Sequence, residues 1–416
     1  YAVASGALGN GKTCVVNSDG TVSVVAASGG AAAFGTPSVF EAATTHQVGV
    51  GFDSNSNKIV VSYQDGGNSS YGTAIVGTVS GTSISFGTPV VFESATVEST
   101  APVFDSNLNK MVIGYVDNGN SSRGTAIVGT VSGTSISFGS ATVFCTSATS
   151  EVSGVFDTNS NKIVFSYRFL YEQGQSRVGT VSGTSISFGT AVFFNPAGGN
   201  IGSTYDPHST FDSNSNKVVI AYRGPDNDGY SIVGTVSGTN ISFGTAAPFT
   251  TNVANSNKVV FDSNSNKVII AYSDAGNSGY GTGVVGTVSG TNISFGTPVV
   301  FESATVTNKP AVFDTTVNKA LLPYTDDGNS GKGTYVLATV SGTSISFTAP
   351  AVFVDGSISS LGTTFDSNSN AVVLAYRDGS NSNYGTARTY VSSGPNLTSE
   401  NFIGITPSAY PTGAGA

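Results

Sequence analysis

Charge is the first thing this chain is short of. Only 10% of its 416 residues are charged, against roughly 25% in an ordinary soluble domain. The charge that remains leans negative, with a net charge of −9. That balance argues against nucleic acid and anionic membranes as partners, since both need basic patches. Trp is absent and methionine occurs once, at Met111. Two cysteines, Cys14 and Cys145, are too few for a disulfide framework and read as one bridge or as two buried thiols. No apolar run approaches the roughly 18 residues of a membrane-spanning helix. No long segment carries the 3.6-residue period of an amphipathic helix. No leader is visible, and a start at Tyr1 rather than Met fits a leader already removed.

Gly, Ser, Thr, Asn and Val fill the space that charge leaves, a composition suited to β-strands and tight turns. They are arranged in a repeat. Phe-Asp pairs stand at Phe52, Phe104, Phe156, Phe211, Phe261, Phe313 and Phe365, in steps of 52, 52, 55, 50, 52 and 52 residues. A fixed period of this size is one supersecondary unit copied around a ring or along a stack. In the second unit a strand ends at Phe104-Asp105 and a polar turn leads to the strand Lys110 to Tyr115. A Gly/Asn loop follows, then GTAIVGTV, a Ser-Gly-Thr turn, and a last strand bent at Gly139. Four antiparallel strands per unit predict an all-β, seven-bladed β-propeller. A β-solenoid, whose coils are shorter and parallel, fits less well. The Phe of Phe-Asp, the Tyr of the second strand and the Phe of the fourth are expected to fill the core between blades.

The third and fourth strands have eight copies for seven blades if weak ones are included. One weak copy lies in residues 20–40 and the other in 385–410. The predicted organisation is therefore residues 1–40 as strands for ring closure or donation, 41–394 as the propeller, and 395–416 as a candidate donor segment. Spare strands are a liability in a monomer and a requirement for donor-strand assembly. Phe402, Ile403, Ile405 and Tyr410 are the expected assembly strand.

The unit FDSNSNKVVIAY…YGTAIVGTVSGTSISFGTPVVFESA resembles propeller repeats of structural and tail-fibre-type proteins of bacteriophages and aquatic microbes. GKTCVVNSDGTVSVV (residues 11–25) and NLTSENFIGI (396–405) look like segments flanking such propellers. The resemblance implies a virion or extracellular surface role. The relatives it points to continue into a further domain after FIGI, which leaves both a complete and a processed product open for this chain.

Candidate chemistry is sparse. Asp53-Ser54-Asn55-Ser56-Asn57 recurs at Asp212, Asp262 and Asp366. It alternates oxygen ligands as calcium loops do, but with too few carboxylates for tight binding. It reads as a hairpin turn, with weak calcium as the minority alternative and no other cofactor or metal expected. The second loop places Asp65, Asp117, Asp274, Asp326 and Asp378 on one face, where they are expected to cap backbone N–H groups. Units three and four break the repeat, and a binding site is expected where a repeat is broken. Glycan-binding candidates there are Arg168, Tyr171, Arg177, Tyr205, His208 and Arg223. A sialidase-like hydrolase would need an Arg cluster, a Tyr/Glu pair and an Asp acid. Arg168, Arg223 and Arg377 share one blade position, but Glu is scarce, and the chain is predicted not to be an enzyme. Sequons at Asn68, Asn120, Asn240, Asn292 and Asn396 offer N-glycosylation sites.

The sequence thus predicts a non-enzymatic extracellular or virion filament protein that joins copies of itself head-to-tail by strand exchange. A glycan- or receptor-binding propeller is the alternative, and a glycoside hydrolase the remote one.

Overall fold

The computed structural model describes residues 32–194, 203–307 and 310–392, with the backbone of 13–16, 22–24 and 402–405. The chain divides into two compact units. One spans residues 34–390; the other combines 1–33 with 391–416.

In the larger unit the pairings form seven antiparallel sheets joined in a closed ring, numbered here by their Phe-Asp pairs from blade 1 (Phe52) to blade 7 (Phe365). In blade 1, residues 45–53 pair with Lys58–Asp65, which pairs with Tyr71–Ser80. The chain folds back at Gly81-Thr82 onto Ser83–Phe86, then runs alongside again in residues 90–96. Gly81 has φ of +59°, as the first central position of a type II′ hairpin turn requires. The strand Val90–Asp105 does not stop at the edge of its blade. From Val97 onward it is the inner strand of blade 2. Blade 7 is completed from the other end of the ring, because Ser38, Val39, Glu41 and Thr44 pair with Ala387, Thr386, Gly385 and Tyr384.

Between adjacent blades lie seven apolar clusters. One joins Val60 and Val76 of blade 1 to Met111, Ile113 and Tyr115 of blade 2. Another joins Val373 and Ala375 of blade 7 to Ile59, Val61 and Tyr63 of blade 1. Each contains the buried Tyr of a second strand against a Phe from the preceding blade's outer strand. Phe92–Tyr115 and Phe144–Tyr167 centroids are 5.1 Å apart, and Phe40–Tyr63, across the closure, 5.2 Å. Edge-to-face and tilted aromatic pairs of this kind add to simple burial. The hydroxyls of Tyr63, Tyr115 and Tyr324 donate to Glu41, Glu93 and Glu302. Cys145 is a free thiol buried in the cluster between blades 2 and 3.

The Phe of Phe-Asp packs on the clusters between blades as expected, Phe313 buried and the other six partly so. Phe52, Phe104, Phe156 and Phe211 are half-buried and line a cavity of about 330 Å³ at one end of the ring's axis. They stand on innermost strands, which have channel rather than a further packed layer beside them. Their Asp neighbours are the buried members of the pairs. Asp53 accepts from the N–H groups of Asn55 (2.9 Å) and Ser56 (3.0 Å) and from the Ser56 hydroxyl (2.7 Å). Asp212 and Asp262 repeat all three bonds. Asn57 and Asn216, which end these turns, adopt the left-handed backbone that Asn tolerates. In the second loop Asp65, Asp117 and Asp378 accept from backbone N–H groups. Asp274 and Asp326 make no such cap.

Candidate functional site

Five residues before Phe-Asp, the inner strands of six blades carry a polar side chain. At that point pairing slips in six blades. Gln47, Ser99, Glu151, Asp206, Ser256 and Ser360 there have φ between 48° and 55°. This is a β-bulge, which bends the strand and re-aims its side chains. The six bulges gather at one end of the axis. Where the side chain is long enough and carries an acceptor, it latches the next bulge. Gln47 Oε1 accepts from Ser99 N (3.3 Å), Glu151 Oε2 from Asp206 N (2.9 Å), and Asp206 Oδ2 from Ser256 N (2.8 Å). Serine is too short to continue the chain.

The bulges surround a cavity of about 400 Å³ whose lining includes Gln47, Thr100, Glu151, Asp206, His208 and Lys258. Burial raises the Glu151 carboxyl above its usual range, and the Asp206 charge adds to this. Burial likewise lowers Lys258 and pushes His208 well below ordinary histidine, with the Lys258 charge contributing to the latter. His208 Nδ1 accepts from Val259 N at 3.3 Å. Lys258 feels the charges of Glu151 and Asp206, yet makes no hydrogen bond or ion pair within the described residues.

Behind the cavity, Arg168 Nη1 lies 3.7 Å from Glu151. The guanidinium carbons of Arg168 and Arg223 lie 4.0 and 4.1 Å from the Tyr205 ring centre. Two cations cannot share one face at that distance, so both faces are covered. Cation–π attraction holds the stack, and Arg223 also donates to Asn255 (2.6 Å). Of the six glycan-binding candidates, Arg168, Tyr205 and Arg223 therefore come together, with His208 nearby at the cavity. Tyr205 has no open face on which a sugar could stack. Arg177 lies apart, donating to the Phe144 carbonyl. Tyr171 sits on an exposed turn with φ of 59°. Arg377 is engaged with Asn383 and His46. Glu151 and Lys258 were not singled out by the sequence reading. The signal available was a polar residue at fixed distance before each Phe-Asp.

His208, half-buried and held neutral by desolvation, sets a pH dependence. Its unfolded counterpart titrates near 6.5, so its contribution to stability is complete above that pH and is lost as pH falls toward the lower folded value. Glu151 acts oppositely, since a raised carboxyl binds its proton more readily in the folded ring. Wild-type and His208→Gln melting temperatures, compared from pH 7.5 to 5.5, should isolate the histidine. The wild type should lose ground on acidification by at most about 1.4 kcal/mol per pH unit. Parallel curves would show that His208 is not held neutral.

The terminal unit contains a second candidate. Thr13–Val16 pairs on one side with Val22–Val24 and on the other with Phe402–Ile405, all antiparallel. The expected assembly strand is thus paired, in this chain, with a strand from the opposite terminus. Tyr410 and the tail after it lie outside the described residues, as does Asn396. Among the other sequons, Asn68, Asn240 and Asn292 are exposed, while Asn120 is half-buried and accepts from Arg123.

No family model matches the chain, and no curated protein matches its sequence. Solved structures do match in fold. The BP39L lectin of Burkholderia pseudomallei superposes with a TM-score of 0.63 at 10% identity, over 85% of this chain and 98% of the lectin. The periplasmic gluconolactonase PpgL of Pseudomonas aeruginosa gives 0.51 at 11%, over 87% and 99%. A leech intramolecular trans-sialidase gives 0.50 at 8%, over 86% and 70%. These likenesses concern the propeller alone and do not single out the tail-fibre type. The last two correct one expectation. A lactonase and a trans-sialidase share this architecture, so reading the chain as a non-enzyme from its fold and repetition does not stand.

Proposed function

We propose that this chain is a structural module whose copies join into an extracellular filament by exchanging the terminal strand Phe402–Ile405. One observation carries the reading. The ring is closed by residues 38–44, so the strands at both chain ends are surplus to it, and they pair with each other. A pairing between two ends of one chain can equally be made between the end of one copy and the start of the next. Such a contact is head-to-tail and propagates unless its rotation closes. Each backbone hydrogen bond in the ladder contributes only about 0.5–1.5 kcal/mol net, so side chains or repeated contacts must add to it. Among the described residues no helix is long and apolar enough to cross a membrane. Low charge and exposed sequons in the blade loops support an extracellular setting.

The test is truncation. The full chain should form fibres in electron micrographs. The chain lacking residues 395–416 should remain as single rings with an unchanged melting temperature. Fibres from the truncated chain would remove the mechanism.

A second reading is a ring that binds glycan. The polar axial cavity supports it, and a lectin is among the proteins of similar fold.

A further inference from the structure

We propose that the bulge-lined end of the axial channel is a binding site for a neutral polyhydroxylated ligand the size of one sugar ring, held by Lys258, Glu151, Asp206 and Gln47. The inference rests on the second reading and gives it a place and a selectivity.

Three observations lead there. The cavity holds about 400 Å³, within the roughly 300–1,000 Å³ of small-molecule sites. Its lining mixes donors and acceptors. Lys258 supplies N–H groups, Asp206 and Glu151 supply oxygens, and Thr100 and Ser256 supply hydroxyls. Finally, the charged groups are close enough to feel one another, yet Lys258 forms no ion pair with either carboxylate. Polar groups held apart by more than a direct hydrogen bond are bridged by something that both donates and accepts. Water does so, and so does a sugar hydroxyl, which also brings its neighbours on the same ring.

The charge balance sets the selectivity. Lys258 and the Arg168 beside Glu151 balance the two carboxylates, and His208 is neutral, so the lining carries no net charge. A carboxylated sugar such as a sialic acid would find no unopposed cation there, since Arg168 faces Glu151 and Lys258 lies in the field of both carboxylates. No Phe or Tyr lines the cavity, and the nearby Tyr205 is covered on both faces. Recognition therefore rests on hydrogen bonds rather than stacking. The order of the bulge latch fits this division of labour. Glu151 and Asp206 each use one oxygen on a neighbouring backbone N–H, which fixes the carboxylates; the second oxygen of Glu151 faces Arg168, and that of Asp206 is left to accept.

Calorimetric titration of the full chain with methyl α-glucoside, methyl β-galactoside, methyl α-mannoside, glucosamine and N-acetylneuraminic acid tests the proposal. At least one of the neutral glycosides should bind saturably at millimolar concentration, and N-acetylneuraminic acid should not. Lys258→Met should weaken binding at least tenfold, the range for losing hydrogen bonds to a charged group. Gln47→Ala, at the exposed mouth, should weaken it a few-fold without affecting folding, and it reports even if Lys258→Met is unstable. Tyr171→Ala, on the remote exposed turn, should leave affinity unchanged. Sugar binding that survives both cavity substitutions would overturn this site while leaving the glycan-binding reading intact. Preferential binding of N-acetylneuraminic acid would overturn the selectivity argued from the lining. No binding of any of the five sugars would overturn both the site and the reading.

Discussion

Gly139→Ala should destabilise the ring by on the order of 3 kcal/mol or more, the upper range for forced overpacking. A Cβ at Gly139 would stand 2.0 Å from the carbonyl oxygen of Thr184. That oxygen belongs to the Ser-Gly-Thr turn of the next blade, and a backbone atom cannot swing aside as a side chain can. The same stitch recurs around the ring. Gly87 faces Thr134, Gly189 faces Thr239, Gly244 faces Thr291 and Gly296 faces Thr343, all at 1.8–2.0 Å, and Gly35 meets Thr82 at 1.7 Å. Blade 6 departs from the pattern with Thr348. The reason is geometric. Blade 7 ends its third strand at Val391 and has no Ser-Gly-Thr turn to receive the bend. Thr348→Gly should cost only about 1 kcal/mol, for the hydrogen bond its hydroxyl accepts from Leu337 N (3.0 Å), and Gly81→Ala should cost about 1–2 kcal/mol, because it asks a side chain to adopt positive φ. Thermal and denaturant melts of the three variants give the ranking. Equal losses at Gly139 and Gly81 would mean that blade-to-blade contact is not what Gly139 serves.

Removing residues 1–44 should have the other large effect, loss of the single cooperative transition. The deletion takes away the outer strand of blade 7 and, with Phe40, a central member of the cluster joining blades 7 and 1. The exposed third strand of blade 7 becomes an open edge, which templates pairing with other chains. Size-exclusion chromatography should show aggregates, and circular dichroism a broadened melt. The contrast with removal of 395–416 is diagnostic, since that deletion leaves every pairing of the ring in place. A truncated chain that stays monomeric and melts within a few degrees of the full one would show that the ring does not depend on this closure.

Much of the ring is legible in the sequence because its blades are built from local signals. The D-S-N-S-N turns close on themselves through Asp53 and its copies within three residues. The Ser-Gly-Thr turns need only a Gly at one position. The unbroken apolar run of KMVIGY and its counterparts places the Tyr in the core without reference to any distant residue. The Phe of Phe-Asp packs between blades as expected but is only half-buried in six of them, because a strand's pattern states which residues share a side and not what lies beyond it. The same limit hid the site. Glu151 and Lys258 are ordinary members of separate repeats, and nothing near either in sequence announces the other.

The sequence by itself determined the blade, its four strands, its turns and the number of copies, since each follows from residues a few positions apart. Only the tertiary structure decided which terminus completes blade 7, because residues 38–44 and 384–387 meet solely through closure of the whole ring. It also decided that the polar bulges converge. A slip of pairing in one strand is a local bend, and it becomes a cavity lined by Lys258, Glu151 and Asp206 only when closure brings the inner strands around a common axis.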